Sequence, residues 1–217
     1  MSEFPPLGPG KWEFPGEAGD DTKRPVALFI CDLQPRFNAV ANFDRVVMTG
    51  AKMVKAAKIL KMGIVVSEQR PEVFGATVPG LGLDDLGLDH NIVKFSKGKF
   101  SMVVPEVEGV IAPADARLSV VIVGIEAHIC VLQTALDLLR RQVEVYVLAD
   151  GVSSINKEEV PIALERIRQA GGVVTTSESF LFQVMRDSSR PEFREFAKLV
   201  KDTKGETQET LKALLPW

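Results

Sequence analysis

The chain alternates between short, continuous apolar runs and longer stretches in which apolar residues recur every three or four positions. The apolar runs predict strands at 26–31, 64–67, 91–95, 119–124, 143–149 and 172–176. Strands whose residues are apolar on both faces are typical of parallel sheets that helices cover on both sides. The stretch from Asp44 to Met62 has the spacing of an amphipathic helix, which we expect Gly63 to end.

This alternation predicts an α/β fold of three layers (α/β/α), in which helices cover both faces of a mostly parallel sheet. Residues 1–24 contain prolines and glycines without an apolar period, so we expect an irregular N-terminal arm. We assign 25–202 to one domain and expect a helical tail at 203–217. The glycine-rich segment 74–90 is predicted to be a long loop with a short helix.

Charge and composition narrow the classes of partner. The formal net charge is −3, which supplies no basic surface for nucleic acid. The apolar runs are shorter than the roughly 18 residues of a membrane-spanning helix, so no membrane association is expected. Two cysteines without a secretory signal favour a reducing compartment, and we predict the cytoplasm while leaving other reducing compartments open. A small-molecule substrate is therefore favoured.

Two candidate chemical groups follow predicted strands. In open α/β sheets the ligand crevice lies beyond the carboxyl ends of the strands, where the strand order reverses. Asp32 follows strand one, and Cys130 falls in the first helical turn after strand four, where unpaired N–H groups stabilise a thiolate. Taken singly, Asp32 is also explained as a turn cap and Cys130 as a small core residue. Their convergence favours a base and a nucleophile.

Other polar residues near these strand ends leave the choice of a cation open. Lys97 and Lys99 follow strand three, and either side chain would lower the pKa of a nearby thiol. Each is equally well explained as a surface lysine. Cys31 lies within strand one, so we expect it to be an inert core residue.

Three segments taken together, VALFICDLQPRF, KGKFS and GIEAHICVLQTALDLL, resemble the isochorismatase-like cysteine hydrolases. SEQRPEVFGATVP and LADGVSSINKEE resemble the isochorismatase domain-containing subgroup of that family. The resemblance extends over about 25–201. It implies a doubly wound six-stranded sheet and a catalytic triad of Asp32, Lys97 and Cys130, which selects Lys97 over Lys99.

The resemblance also implies a specific backbone geometry at the end of strand four. A non-proline cis peptide bond is expected between Ile125 and Glu126. Such a bond would direct backbone N–H groups near Glu126, Ala127 and Cys130 at a developing oxyanion.

Two departures from the family pattern limit the substrate. Metal-dependent nicotinamidases carry Asp and His ligands after strand two, but the chain has only His90 and His128, neither in that region. We therefore expect no catalytic metal and no cofactor, and nicotinamide hydrolysis is not favoured. True isochorismatases lack the cysteine of this motif, so isochorismate hydrolysis is not favoured either.

Five further side chains are candidates for substrate binding. Phe37 and Phe100 would supply an apolar wall, and Gln34, Gln69 and His128 polar contacts. Each aromatic and glutamine side chain is equally explained by ordinary packing, and His128 by a structural cap.

The predicted function is hydrolysis of a small amide, ureide or related carbonyl compound by a cysteine hydrolase. A catalytically silent scaffold with the same fold is an alternative. Ribonuclease-type hydrolysis is the least favoured, because the chain is acidic and has no basic stripe. We expect a homo-oligomer, a dimer or a tetramer.

Overall fold

A computed structural model describes residues 25–86, 91–111 and 118–215, so the N-terminal arm predicted at 1–24 lies outside the described residues. The strands are β1 (Val26–Cys31), β2 (Gly63–Gln69), β3 (Ile92–Lys97), β4 (Ser119–Ile125), β5 (Glu144–Ser153) and β6 (Val173–Thr175). The α-helices are α1 (Phe43–Leu60), α2 (Pro71–Phe74), α3 (Pro105–Ile111), α4 (Leu132–Arg140), α5 (Glu159–Gln169), α6 (Ser177–Met185), α7 (Phe193–Asp202) and α8 (Lys204–Leu214).

The six strands form one sheet in the order β3-β2-β1-β4-β5-β6, and every neighbouring pair is parallel. The chain builds outward from β1 in one direction and then from β4 in the other, so the strand order reverses between these two neighbours. The predicted three-layer, doubly wound α/β fold is thereby confirmed. The carboxyl ends of β1 and β4 lie side by side at the reversal, where α/β proteins bind ligands.

Two apolar cores cover the two faces of the sheet. Alternate residues of β1 point to opposite faces, as strand geometry requires. Ala27, Phe29 and Cys31 belong to the core formed with α3, α4 and α5. Leu28 and Ile30 belong to the core formed with α1, α6 and α7. Among the described residues, no helix is long and apolar enough to cross a membrane.

The end of α1 differs slightly from the prediction. The helix ends at Leu60, and Lys61 adopts the left-handed conformation with φ +55°. The Lys61 N–H donates to the carbonyls of Ala57 and Lys58, which closes the last turn. Gly63, the expected terminator, is instead the first residue of β2.

A glycine permits the close approach of β4 to β1 at the reversal point. Gly124 pairs with Cys31 and has φ +147°, in a part of β4 where the register with β5 shifts. A Cβ atom at this position would lie 2.2 Å from the Cys31 carbonyl oxygen. Only glycine fits both the torsion angle and the space.

We predict that Gly124→Ala lowers the free energy of unfolding by at least about 2 kcal/mol, because the new methyl group meets a backbone atom that cannot move away. The control is Gly205→Ala in α8, where a Cβ atom has no described neighbour within 4 Å. That change should leave stability unchanged or raise it by about 0.5–1 kcal/mol. Urea denaturation measures both, and equal stability of the two variants would contradict the prediction.

Candidate active site

Asp32 is the first residue after β1, and its carboxylate is buried at the reversal point. Asp32 has φ +55°, so the chain turns sharply as it leaves the strand. Its Oδ1 accepts a hydrogen bond of 2.7 Å from the Ser67 hydroxyl of β2. Its Oδ2 accepts one of 2.7 Å from Lys97 Nζ. The Asp32 side chain therefore bonds to residues of β2 and β3. It does not cap the following turn, because Gln34 occupies the N-cap position of that turn.

Lys97 is the last residue of β3, and its side chain is fully buried. Besides Asp32 Oδ2, its ammonium group lies 2.8 Å from Gln69 Oε1, 3.0 Å from the Phe100 carbonyl and 3.2 Å from the Lys99 carbonyl. Burial by itself would lower the pKa of Lys97, but its electrostatic interactions with Cys31, Asp32 and Cys130 outweigh it and raise the pKa. Lys97 therefore remains an ammonium ion at neutral pH.

Cys130 lies where the chain enters α4. The segment Ala127–Val131 forms a single π-helical turn that leads directly into α4. Thr134, one turn later, donates a 2.6 Å hydrogen bond to the Cys130 carbonyl and accepts one of 2.9 Å from the Met102 N–H. These bonds connect the cysteine turn to the segment after β3. The Cys130 side chain faces the sheet and is nearly buried, with 6% of the residue exposed.

Three ligand-type atoms converge beside the ion pair. Cys31 Sγ, a carboxylate oxygen of Asp32 and Cys130 Sγ all lie within 4.8 Å of one another. Cys31 Sγ also donates a 3.6 Å hydrogen bond to Asp32 Oδ2. Burial, a hydrogen bond to Cys130 and the charge of Asp32 raise the pKa of Cys31 well above its usual value. Cys31 lies in the core as expected, and its thiol is also adjacent to Asp32 and Cys130.

The turn between β4 and the π-helical turn corrects one expectation. The peptide bond between Ile125 and Glu126 is trans, so the cis bond implied by the family resemblance is wrong. The chain changes direction through backbone torsions instead, with φ +147° at Gly124 and φ +53° at Glu126. A left-handed Glu costs of order 1 kcal/mol and persists only where its surroundings hold it. Ile125 is buried as the last residue of β4, and Ala127 is buried at the start of the turn.

The two predicted glutamines support the site by different routes. Gln69, at the end of β2, accepts from Lys97 and donates a 3.1 Å hydrogen bond to the Gly98 carbonyl. Gln34 is fully buried, and its amide bonds the backbone of Gln69 and the Gly75 carbonyl. Gln34 thus holds backbone segments in place, whereas Gln69 contacts the cation directly.

The two predicted aromatic residues lie in different environments. Phe100 reaches the site through its carbonyl, which accepts from Lys97, while the residue is 52% exposed. The Phe37 ring stacks on Phe74 with a centroid separation of 4.4 Å. Phe37 packs against the core on the α1 face of the sheet, whereas Cys130 belongs to the other core.

His128 forms a polar cluster with two neighbours. Its Nδ1 lies 3.0 Å from the Ser154 hydroxyl and 3.4 Å from Glu126 Oε2. Glu126 Oε1 accepts a 3.3 Å hydrogen bond from the Ile155 N–H, and burial raises the pKa of Glu126. The cluster joins the turn after β4 to the segment after β5.

Sequence reasoning missed Ser67 and Thr134. Ser67 follows the apolar run of β2 and pairs with Cys31 in the sheet register, and Thr134 is a buried residue of α4. A hydroxyl at the end of a strand next to β1 was the available signal for Ser67, and a threonine four residues after the cysteine was the signal for Thr134.

The cluster of Cys31, Asp32 and Cys130 has the donor types of a zinc site. Lys97 already binds Asp32 Oδ2 at 2.7 Å, so a cation would have to displace an ammonium ion to use that oxygen. The expectation of no catalytic metal stays a prediction.

Comparison with known proteins adds an independent set of similarities. The family described as isochorismatase domain matches residues 26–179. Isochorismatase domain-containing protein 2 of Xenopus laevis is 40% identical over 181 residues, which are 83% of this chain and 85% of that protein. The secreted isochorismatase effector Isc1 of Phytophthora sojae (strain P6497) is 42% identical over 179 residues, or 81% and 84% of the two chains.

Among solved structures, the MAR1 ribonuclease from Caenorhabditis elegans is similar, with a TM-score of 0.75 and 39% identity. The match covers 82% of this chain and 90% of that chain. The family match over 26–179 spans both the sheet and the residues of the candidate site.

We predict that Lys97→Met lowers the free energy of unfolding by about 3–5 kcal/mol, because it leaves the Asp32 carboxylate buried without its ion-pair partner. Since folding raises the pKa of Lys97, its contribution is complete below the unfolded lysine pKa of about 10.4 and is lost as the pH rises through the folded value. Urea denaturation at pH 7 therefore measures the whole effect.

Lys99→Met is the matched control, because Lys99 is exposed and contributes only its carbonyl to the site. It should change stability by less than about 0.5 kcal/mol. Equal losses in the two variants would show that the ion pair does not stabilise the fold.

Proposed function

Because the chain belongs to the isochorismatase family of hydrolases, we propose that it hydrolyses a small amide, ureide or related carbonyl compound through Cys130. The family resemblance drawn from the three sequence motifs is thereby confirmed. The observation that carries the proposal is the convergence of the Cys130 thiol with the Asp32 carboxylate, within 4.8 Å, beside the Lys97 ammonium.

The first half of the reaction forms a thioester. Asp32 accepts the proton of the Cys130 thiol, and the thiolate adds to the substrate carbonyl carbon. The carbonyl oxygen becomes an oxyanion, which backbone N–H groups near Glu126, Ala127 and Cys130 and the Lys97 ammonium stabilise. The C–N bond then breaks, and the leaving nitrogen takes the proton from Asp32.

The second half returns the enzyme to its starting state. Asp32, again a carboxylate, accepts a proton from a water molecule, whose oxygen adds to the thioester carbon. The C–S bond breaks, the acid product leaves, and Cys130 recovers the proton. Lys97 keeps its charge throughout, because its raised pKa leaves it no tendency to release a proton at neutral pH.

The burial of the site favours a small substrate. Asp32, Lys97 and Cys130 are all at least nine-tenths buried, so a substrate group must enter a narrow space between strand ends. Phe100 and Ile155 are half exposed beside the Lys97 and Glu126 segments, where they would contact the less polar part of the substrate.

A second candidate function is hydrolysis of RNA, and one observation favours it. The similar Caenorhabditis elegans structure, at 39% identity, carries the name of a ribonuclease. Against it stands the net charge of −3, because RNA binding draws most of its affinity from lysine and arginine contacts to phosphate. The amide-type reaction needs no such contacts.

Assembly and compartment stay predictions. Exposed apolar side chains such as Ile162, Val173 and Phe182 are where a second copy of the chain would pack in the expected dimer or tetramer. Sedimentation of the purified protein tests this assembly.

We predict that Cys130→Ala abolishes turnover of any small amide or ureide that the wild type hydrolyses, with kcat/KM reduced by at least about 10³-fold. Asp32→Asn should cause a similar loss, because it removes the proton acceptor. A panel of primary amides, ureides and carbamoyl compounds is assayed with both variants, together with isochorismate and a single-stranded RNA. Intact mass spectrometry during turnover should show the acyl adduct on Cys130.

The control is Lys99→Met, whose exposed side chain is outside the cluster. Full activity of Cys130→Ala would contradict the proposal. RNA cleavage that disappears in Asp32→Asn would replace it by the second candidate. A wild type with no turnover and no adduct on any compound would favour the binding scaffold.

A further inference from the structure

The proposed mechanism leaves the Cys31 thiol without a task. Its Sγ nevertheless lies within 4.8 Å of Cys130 Sγ and of the Asp32 carboxylate. Both cysteines are free thiols, and both side chains are buried. A second thiol beside a nucleophilic one has a well-defined chemical capacity, since a thiol reduces an oxidised sulfur within its reach.

We propose that Cys31 is the resolving thiol of Cys130, so that oxidation of Cys130 by a peroxide closes an intramolecular disulfide between them. The disulfide removes the nucleophile and stops hydrolysis reversibly. The regulatory meaning rests on the proposed function, whereas the disulfide itself does not.

The backbone holds the two cysteines where such a bond can close. Cys31 ends β1 and Cys130 lies in the turn that follows β4, and these strands are direct neighbours. The residue paired with Cys31 is Gly124, which has no side chain to separate the thiols. A disulfide sulfur separation is about 2.05 Å, so the two atoms must approach by roughly 2.7 Å at most. Rotation about the two Cα–Cβ bonds moves sulfur atoms over such distances.

The two thiols differ in their access to an oxidant, as expected for one thiol that reacts with peroxide and a second thiol that then attacks the oxidised sulfur. Cys130 is 6% exposed and Cys31 is fully buried, so a small oxidant entering the site reaches Cys130 first. The raised pKa of Cys31 keeps that sulfur protonated, and protonated thiols react slowly with peroxides. Cys130, the more accessible thiol, is thus the first site of oxidation.

The steps balance with hydrogen peroxide as the oxidant. The Cys130 thiolate attacks one peroxide oxygen, the O–O bond breaks, and Cys130 becomes a sulfenic acid while hydroxide leaves and is protonated to water. Cys31 Sγ then attacks the Cys130 sulfur, the S–O bond breaks, and the hydroxyl group leaves as water. Asp32 Oδ2, which already accepts a hydrogen bond from Cys31, takes the Cys31 proton and passes it to that hydroxyl group. The two thiols lose two electrons, and the peroxide gains them.

The reaction of Cys31 with the Cys130 sulfenic acid also determines how far Cys130 is oxidised when more peroxide is present. A sulfenic acid without a neighbouring thiol proceeds to sulfinic acid, which ordinary thiols do not reduce. With Cys31 beside it, Cys130 is expected to stop at the disulfide.

The experiment treats the full chain with hydrogen peroxide, quenches with acid, alkylates under denaturing conditions and measures mass. Wild type should lose about 2 Da, resist alkylation at both cysteines and regain both thiols with dithiothreitol. A peptide map should join the Cys31 and Cys130 peptides within a monomer.

Two matched variants separate the roles. Cys31→Ser keeps the size of the side chain and a donor to Asp32, and it should gain about 32 Da on Cys130 that dithiothreitol does not remove. Cys130→Ser should leave Cys31 unoxidised over the same time. Thermal unfolding checks that both variants fold, and if Cys31→Ser does not, Cys31→Ala replaces it.

Wild type that accumulates sulfinic acid on Cys130 while Cys31 remains open to alkylation would overturn the proposal. A disulfide between two chains would overturn it as well. Mass readouts need no substrate, so the two proposals fail separately. If the chain forms the disulfide but hydrolyses no compound, this inference stands and the proposed function fails. If the chain hydrolyses a compound without forming the disulfide, the proposed function stands and this inference fails.

Discussion

The buried ion pair between Lys97 and Asp32 is the interaction on which the rest of the site depends. Two charges that are almost completely shielded from water remain ionised only if each is paired and its other lone pairs or protons are satisfied. Ser67 satisfies the second oxygen of Asp32, and Gln69 with two carbonyl groups surrounds the ammonium ion. The pair thereby joins the ends of β1, β2 and β3 and fixes the loop after β3.

This pairing sets the electrostatic environment of the two thiols. The ion pair has no net charge, and Cys31 Sγ donates to the same Asp32 oxygen, Oδ2, that Lys97 Nζ contacts. Asp32 thus combines a structural role with the ability to accept a proton. One thiol, Cys31, is kept protonated by burial and by that carboxylate, whereas Cys130 lies in the turn that leads into α4. The same cluster therefore holds two thiols beside one carboxylate.

The backbone around the strand reversal is strained to bring these groups together. Asp32 and Glu126 both have positive φ angles, at the ends of neighbouring strands, and Gly124 lies between β1 and the cysteine turn. Such conformations persist where the surrounding bonds determine them, and they concentrate at functional sites. After β4 the chain changes direction through the torsions of Gly124 and Glu126, with a trans bond between Ile125 and Glu126.

The sequence by itself determined the fold and three of the residues that meet at the candidate site. Continuous apolar runs identify buried parallel strands, and motif order identifies Asp32, Lys97 and Cys130, because local pattern and spacing are carried by neighbouring residues. Tertiary structure alone decided that Lys97 pairs with Asp32, that Ser67 and Thr134 support the site, and that Cys31 faces Cys130. These contacts join strands that are far apart in the chain. They depend on the register of the strands and on torsion angles at the strand ends, and no local sequence pattern specifies either.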